Sequence, residues 1–219
     1  EFNSAGGQDF NPIGVAYIQG DFSQLNTDAF APTEGKVIFS NASEKEIINT
    51  ATAADLVFYD IEVATSARLL TSSSWQVTSM IDVKANGELK ADNGNIAFVN
   101  ATPAMKYIKN ASTQTLEFND LTITNGVVYT SDSWVIKGNL TTTEGLVATN
   151  GTITFDNIQE KVIEATTAPV FFKIKISDGS KVTTGTADDF TIRNNGTNPS
   201  GAGIEVEGTG AFYVGNLPL

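Results

Sequence analysis

The chemistry open to this sequence starts with its carboxylates. Three pairs stand out: Asp60 with Glu62, Glu205 with Glu207, and the adjacent Asp188 and Asp189. A polysaccharide-cleaving enzyme would use such acids as general acid and base, with help from Lys, Arg or bound calcium. Alternate residues of a strand share one face, so Glu205 and Glu207 are expected about 7 Å apart on an outer surface. Related segments, aligned below, place Thr122 and Lys175 where Glu62 stands. That variation favours a solvated outer face over a catalytic pair.

Other chemistry is restricted by composition. The chain has no histidine and no cysteine. Serine–histidine and cysteine–histidine nucleophile systems are therefore excluded, and the commonest zinc ligand is absent. Arg68 and Arg193 are the arginines, which leaves little for holding acidic sugars. Asp92-Asn93 and Asp188-Asp189 are short acidic turns, but neither matches a calcium-loop motif. We assign no catalytic, cofactor-binding or metal-ligating residue. Calcium-bridged contacts stay compatible with a net charge of −12. Tyr107, Tyr129 and Tyr213 are candidate sugar platforms, favoured if they line one outer face. Asn41, Asn100, Asn110, Asn139, Asn150 and Asn195 begin N-x-S/T triplets; Asn41 and Asn100 hold equivalent repeat positions, so a turn role explains those two without sugar. Thr141-Thr142-Thr143 and Thr183-Thr184 do not fall in register between segments, so an ice-binding threonine ladder is discounted.

The elements that hold these residues are repeated. Gly35-Lys36-Val37-Ile38-Phe39-Ser40-Asn41 returns at Gly94–Asn100 and again at Gly151–Asn157, at nearly constant spacing. A K-x-I follows each: Lys45/Ile47, Lys106/Ile108 and Lys161/Ile163. Aromatic-led alternating strands come next, from Phe58, Phe118 and Phe171, and then from Trp75, Trp134 and Phe190. Each unit closes on a glycine strand at Gly87, Gly145 or Gly210. Tyr17 to Ala31 reads as the closing third of a further unit.

Alternating apolar and polar residues separated by Gly, Asn, Asp, Ser and Thr predict short strands and tight turns. Fixed-period repeats of this kind predict a stacked architecture. A unit under sixty residues is small for a sandwich domain of about 100 residues. The expected fold is an all-β, right-handed parallel β-helix (β-solenoid), with three repeats (35–93, 94–150 and 151–214) and a partial N-terminal one. Tandem β-sandwich modules are the alternative. Each unit is expected to give about three turns. Stacking those turns is expected to align Phe39, Phe98 and Phe155 in one inward column. The same holds for Phe58, Phe118 and Phe171, and for Trp75, Trp134 and Phe190. Residues 1–10 are expected to form a flexible leader before a single solenoid domain over 11–219. Ser43 and Glu46 fit a helix capping box, but the equivalent stretches read as strand and turn, the favoured outcome.

The pattern resembles the β-helical repeats of large secreted surface proteins of Bacteroidetes-type bacteria. Those read G-x-hydrophobic-x-F-x-N, then F-x-x-L-x-I, then a strand ending W-x-V-x-G-x-L. Gly94 to Asn150 is the best copy, and the resemblance covers about residues 35–214. The third unit departs most, with Phe190 in place of tryptophan and an insertion at Asn194–Gly203. The resemblance implies an extracellular or cell-surface location.

An acidic chain disfavours nucleic acid and anionic membranes, and no apolar run approaches the ~20 residues needed to cross a bilayer. The apolar C-terminal stretch Gly210–Leu219 looks like an uncapped strand edge. The expected function is therefore non-catalytic: an extracellular structural protein, a surface filament subunit or adhesin rod. Its expected partner is itself, head to tail, or another surface protein. The alternatives are a carbohydrate-binding module and a polysaccharide-active β-helix enzyme.

Overall fold

Runs rich in Val, Ile, Thr and aromatic residues alternate with polar ones throughout the chain, and each run forms a short strand. A computed structural model describes residues 13–24, 29–50, 52, 56–100, 102, 105–114, 116–185, 190–192, 203–214 and 217–218. Among them there are twenty-five strands and no helix. The expected leader at 1–10 lies outside the described residues, as do Asp188, Asp189, Arg193, Asn195 and nearly all of the insertion.

The strands wind into a parallel β-solenoid of about eight turns with three faces, visited in the order 1, 2, 3. Face 1 is a nine-stranded sheet running from Phe22–Gln24 to Gly203–Val206. Faces 2 and 3 are joined through Val57–Val63 and Trp75–Val83, two strands that run over the corner between them. Face 2 continues through Asn95–Phe98, Asp120–Ile123, Leu140–Thr142, Glu160–Ala165 and Lys181–Thr184 to Ala211–Val214. Face 3 runs from Val15–Ile18 and Lys36–Phe39 through Met105–Asn110 and Val127–Thr130 to Thr191–Ile192. Parallel pairing from end to end rules out tandem sandwiches, whose strands pair antiparallel. Among the described strands the one antiparallel pair is at the C-terminus, where Leu217–Pro218 folds back on Ala211–Val214. The face 2 edge expected to be bare is therefore covered by the chain itself. Ser43 starts no helix: Lys45–Asn49 is a face 1 strand, and Asn41 Oδ1 accepts the Ser43 N–H at 2.8 Å as a turn.

Turn length varies with the corners. Phe118 pairs with Ile136 across a short turn, whereas Ile176 pairs with Val206 across a much longer one that includes the insertion. The interior is filled by inward columns such as Val37–Ile61–Ile81–Ile108 on face 3. All four side chains are essentially inaccessible, and burial of each stabilises the fold by roughly 1.5–3 kcal/mol.

The aromatic columns are corrected. Phe39, Phe98 and Phe155 are all buried, as are Phe58, Phe118, Phe171, Trp75 and Trp134, while Phe190 packs partly buried against the core. None of the three sets stacks. Phe39 lies on face 3, Phe98 on face 2 and Phe155 on face 1. Phe58, Phe118 and Phe171 take faces 2, 1 and 3. One sequence repeat therefore spans eight strand positions rather than nine, so each copy starts one face back from the last.

Candidate functional site

The two tryptophans mark one corner device built twice. Thr71-Ser72-Ser73-Ser74-Trp75 turns from face 1 to face 2, and Thr130-Ser131-Asp132-Ser133-Trp134 from face 3 to face 1. Each buried indole N–H donates to the threonine four residues back, at 3.1 and 3.4 Å. The same hydroxyls accept the Ser73 and Asp132 N–H groups. One turn earlier, the Asn49 and Asn110 side-chain amides donate to the Ser74 and Ser133 carbonyls at 2.8 and 2.9 Å. One turn later, the Ser74 and Ser133 hydroxyls accept the Asn95 and Thr152 N–H groups, both at 2.9 Å. Phe58 meets Trp75 edge-on at 5.4 Å, as Phe118 meets Trp134 at 5.3 Å. The bonds of Asn110 and of Asn41, whose amide donates to the Gln19 carbonyl at 2.7 Å, give these asparagines a bracing role between turns.

Lys106 is the charge that sequence reasoning missed. It is wholly buried, and its ammonium donates to the carbonyls of Thr78, Val99 and Asn100 at 2.6, 2.9 and 2.8 Å. Burial lowers its pKa, opposed by the Glu144 carboxylate. The K-x-I spacing carried the signal, because period two puts Lys106 on the same inward side as Ile108.

The candidate acids are brought against lysines rather than against one another. Glu62 pairs with Lys36 at 2.9 Å and lies 3.8 Å from Lys84, which binds Asp82 at 2.6 Å. Asp60 stands apart: burial raises its pKa, countered by a Ser79 hydrogen bond and by Lys36 and Lys109. Glu205 pairs with Lys173, which holds its carboxyl below the usual range, and Glu207 pairs with Lys175 at 3.0 Å. Asp92 sits in a turn, its N–H bonded to the Thr71 carbonyl at 3.0 Å. Arg68 bridges Glu88 at 2.7 Å and Glu44 at 3.2 Å. Among the described residues no group of three or more acids is arranged to hold a metal ion.

Two surface features stand out. Tyr107 and Tyr129 are partners on adjacent turns of face 3, with ring centroids 6.2 Å apart and planes tilted by 36°. The Lys109 ammonium sits 5.6 Å over the Tyr107 ring. Tyr213 lies on face 2, paired with Thr183, so the three tyrosines do not share a face. The second feature is a groove of about 650 Å³ at the corner of faces 2 and 3, around Tyr59 and Gln76. No single segment announced it, because its walls come from loops far apart in the chain. Comparison of the chain with protein-family models, curated proteins and solved structures finds no match. The fold and surface together define a three-faced parallel β-solenoid in which Glu62, Glu205 and Glu207 pair with lysines.

Proposed function

We propose that this chain is a non-catalytic extracellular structural protein, a rod segment of a surface filament or adhesin. The observation that carries the reading is the stack itself. About eight parallel turns share one continuous core and the same corner device recurs on different corners, a construction that extends a shape without enclosing a reaction centre. The pairing of Glu62, Glu205 and Glu207 with lysines supports a non-catalytic role, since a general acid or base must exchange its proton with substrate. The resemblance to secreted Bacteroidetes-type surface repeats supports the location. Strand-edge addition, to a second copy or to further turns, would use faces 1 and 3 at the C-terminal end, because Leu217–Pro218 covers face 2 there. The test is electron microscopy of the purified chain at physiological salt, without and with calcium. Regular filaments one solenoid wide are expected; dispersed short particles at every concentration would remove self-assembly from the proposal.

A second reading has its own observation. Tyr107 and Tyr129 form a tilted two-ring platform on one face, the arrangement on which successive sugar rings stack. Carbohydrate recognition is therefore kept as an accessory or alternative role.

A further inference from the structure

We infer that the groove at the corner of faces 2 and 3 is a binding site for a neutral oligosaccharide. The inference deepens the carbohydrate reading but rests on residues other than Tyr107 and Tyr129.

The groove follows from corner length. In two successive turns the chain passes from face 2 to face 3 without leaving strand, through Val57–Val63 and Trp75–Val83. The register slips there: Phe58 faces Val77 and Asp60 faces Met80, so Tyr59 stands opposite two residues, Thr78 and Ser79. The turn before and the turn after take this corner through longer loops, which contribute Ala31, Pro32 and Thr33 on one side and Asn100 and Thr102 on the other. Those loops are three strand spacings apart, about 14 Å. The corner is thus a saddle two strands wide, with Tyr59, Gln76 and Thr78 in its floor.

The lining selects the ligand. Among the described residues no Lys, Arg, Asp or Glu lines the groove, although the chain has 13 basic and 25 acidic residues. Lys106 lies beneath the floor, but it is wholly buried and its ammonium is engaged by the carbonyls of Thr78, Val99 and Asn100, so a charged ligand in the groove would leave water without direct contact to an opposite charge, which is costly. Asn100 and Thr78 already satisfy each other, the amide donating to the hydroxyl at 3.0 Å, but an aliphatic ligand would strand the Gln76 amide and the Thr33 and Thr102 hydroxyls. A peptide strand would need an open edge, but the floor strands are paired on both sides. A ring-bearing, polyhydroxylated, uncharged ligand satisfies each condition: Tyr59 offers an apolar ring with a polar tip, and the Gln76 amide with the Thr33 and Thr102 hydroxyls matches vicinal sugar hydroxyls. The volume lies in the range of small-ligand sites.

The test is titration calorimetry of the whole chain with neutral hexasaccharides of glucose, mannose, galactose and xylose, and with acidic uronate oligomers. At least one neutral series is expected to bind, with uronates at least tenfold weaker. Tyr59→Ala and Gln76→Ala are each expected to weaken binding tenfold or more, with the thermal midpoint checked in parallel. Tyr59→Phe, which keeps the ring, is expected to stay within about threefold. A Tyr107→Ala/Tyr129→Ala double variant is expected to retain binding. If the double variant loses binding while Tyr59→Ala keeps it, the groove inference is overturned and the tyrosine platform stands. Binding of uronates alone, or of none of the sugars, also overturns the groove inference.

Discussion

Asp60 shows how a stacked fold treats a charge that falls between columns. It stands on the outer side of face 3 between Lys36 of one turn and Met80 of the next, and one of its carboxylate oxygens is buried without a hydrogen bond. Desolvation raises its pKa above the unfolded value, against the pull of Ser79, Lys36 and Lys109. The folded state therefore holds this proton more tightly than the unfolded state does. Its contribution to stability is present below the usual carboxylate pKa and is lost as pH rises through the raised value. Asp60→Asn, which keeps the shape and cannot ionise, is expected to raise the thermal midpoint at pH 7 and leave it nearly unchanged near pH 3. A midpoint shift of equal size at both values would show that the charge is not the cause. Lys106 is the opposite case at the same scale, a buried cation held by the carbonyls of Thr78, Val99 and Asn100.

At the scale of elements, the corners set the structure more than the strands do. Gly94 and Gly151 open equivalent strands of two repeats, and each passes over the corner of the preceding turn. A Cβ at either would lie 2.5 Å from a backbone carbon, of Ser73 or Asp132, and both φ angles are positive, 77° and 75°. Gly179 has the same φ of 75° with open space around it. The comparison separates conformational cost from crowding. Gly179→Ala is expected to cost about 1–2 kcal/mol, the left-handed penalty alone. Gly94→Ala and Gly151→Ala are each expected to cost roughly 3 kcal/mol or more, because backbone must move as well. Urea unfolding of the three variants measures this, and equal losses at all three would refute the crowding argument. Gly94 and Gly151 were legible in the sequence as repeat landmarks, and so were the strands, since an alternating run such as Lys173-Ile174-Lys175-Ile176 has one satisfactory packing. The hydrogen bonds of the corners were not legible. Ser73 and Asp132 do the same job with different side chains, and the partners Asn49 and Asn110 lie a full turn of the solenoid away.

At the scale of the whole molecule, the sequence period and the structural period disagree. Recurrence of the landmarks carried the fold class, because only stacking gives so short a unit enough buried surface. It could not carry the face assignment. A repeat measured in residues does not say how many strands it holds when turns differ as much as Phe118 to Ile136 and Ile176 to Val206 do. The groove was hidden for the same reason, since which loops become neighbours depends on turn length. The eight-strand unit has a consequence for extension. The next copy begins one face back, so the corner between faces 1 and 2 in one copy becomes the corner between faces 3 and 1 in the next. The hydrogen bonds around Trp75 and Trp134 are nonetheless matched partner for partner. What is preserved is the relation of each strand to those just below and above it, not the face on which it lies. Inserting a second copy of residues 94–150 after Asn150 keeps every such relation at both junctions. The enlarged chain is expected to fold cooperatively and to lengthen by two and two-thirds turns, about 13 Å at the parallel strand spacing. Small-angle scattering would read that length, and circular dichroism the unchanged strand content per residue. If the three faces were instead distinct structures tied to position, the insertion would place every later strand on the wrong face, and the product would aggregate or lose the cooperative transition.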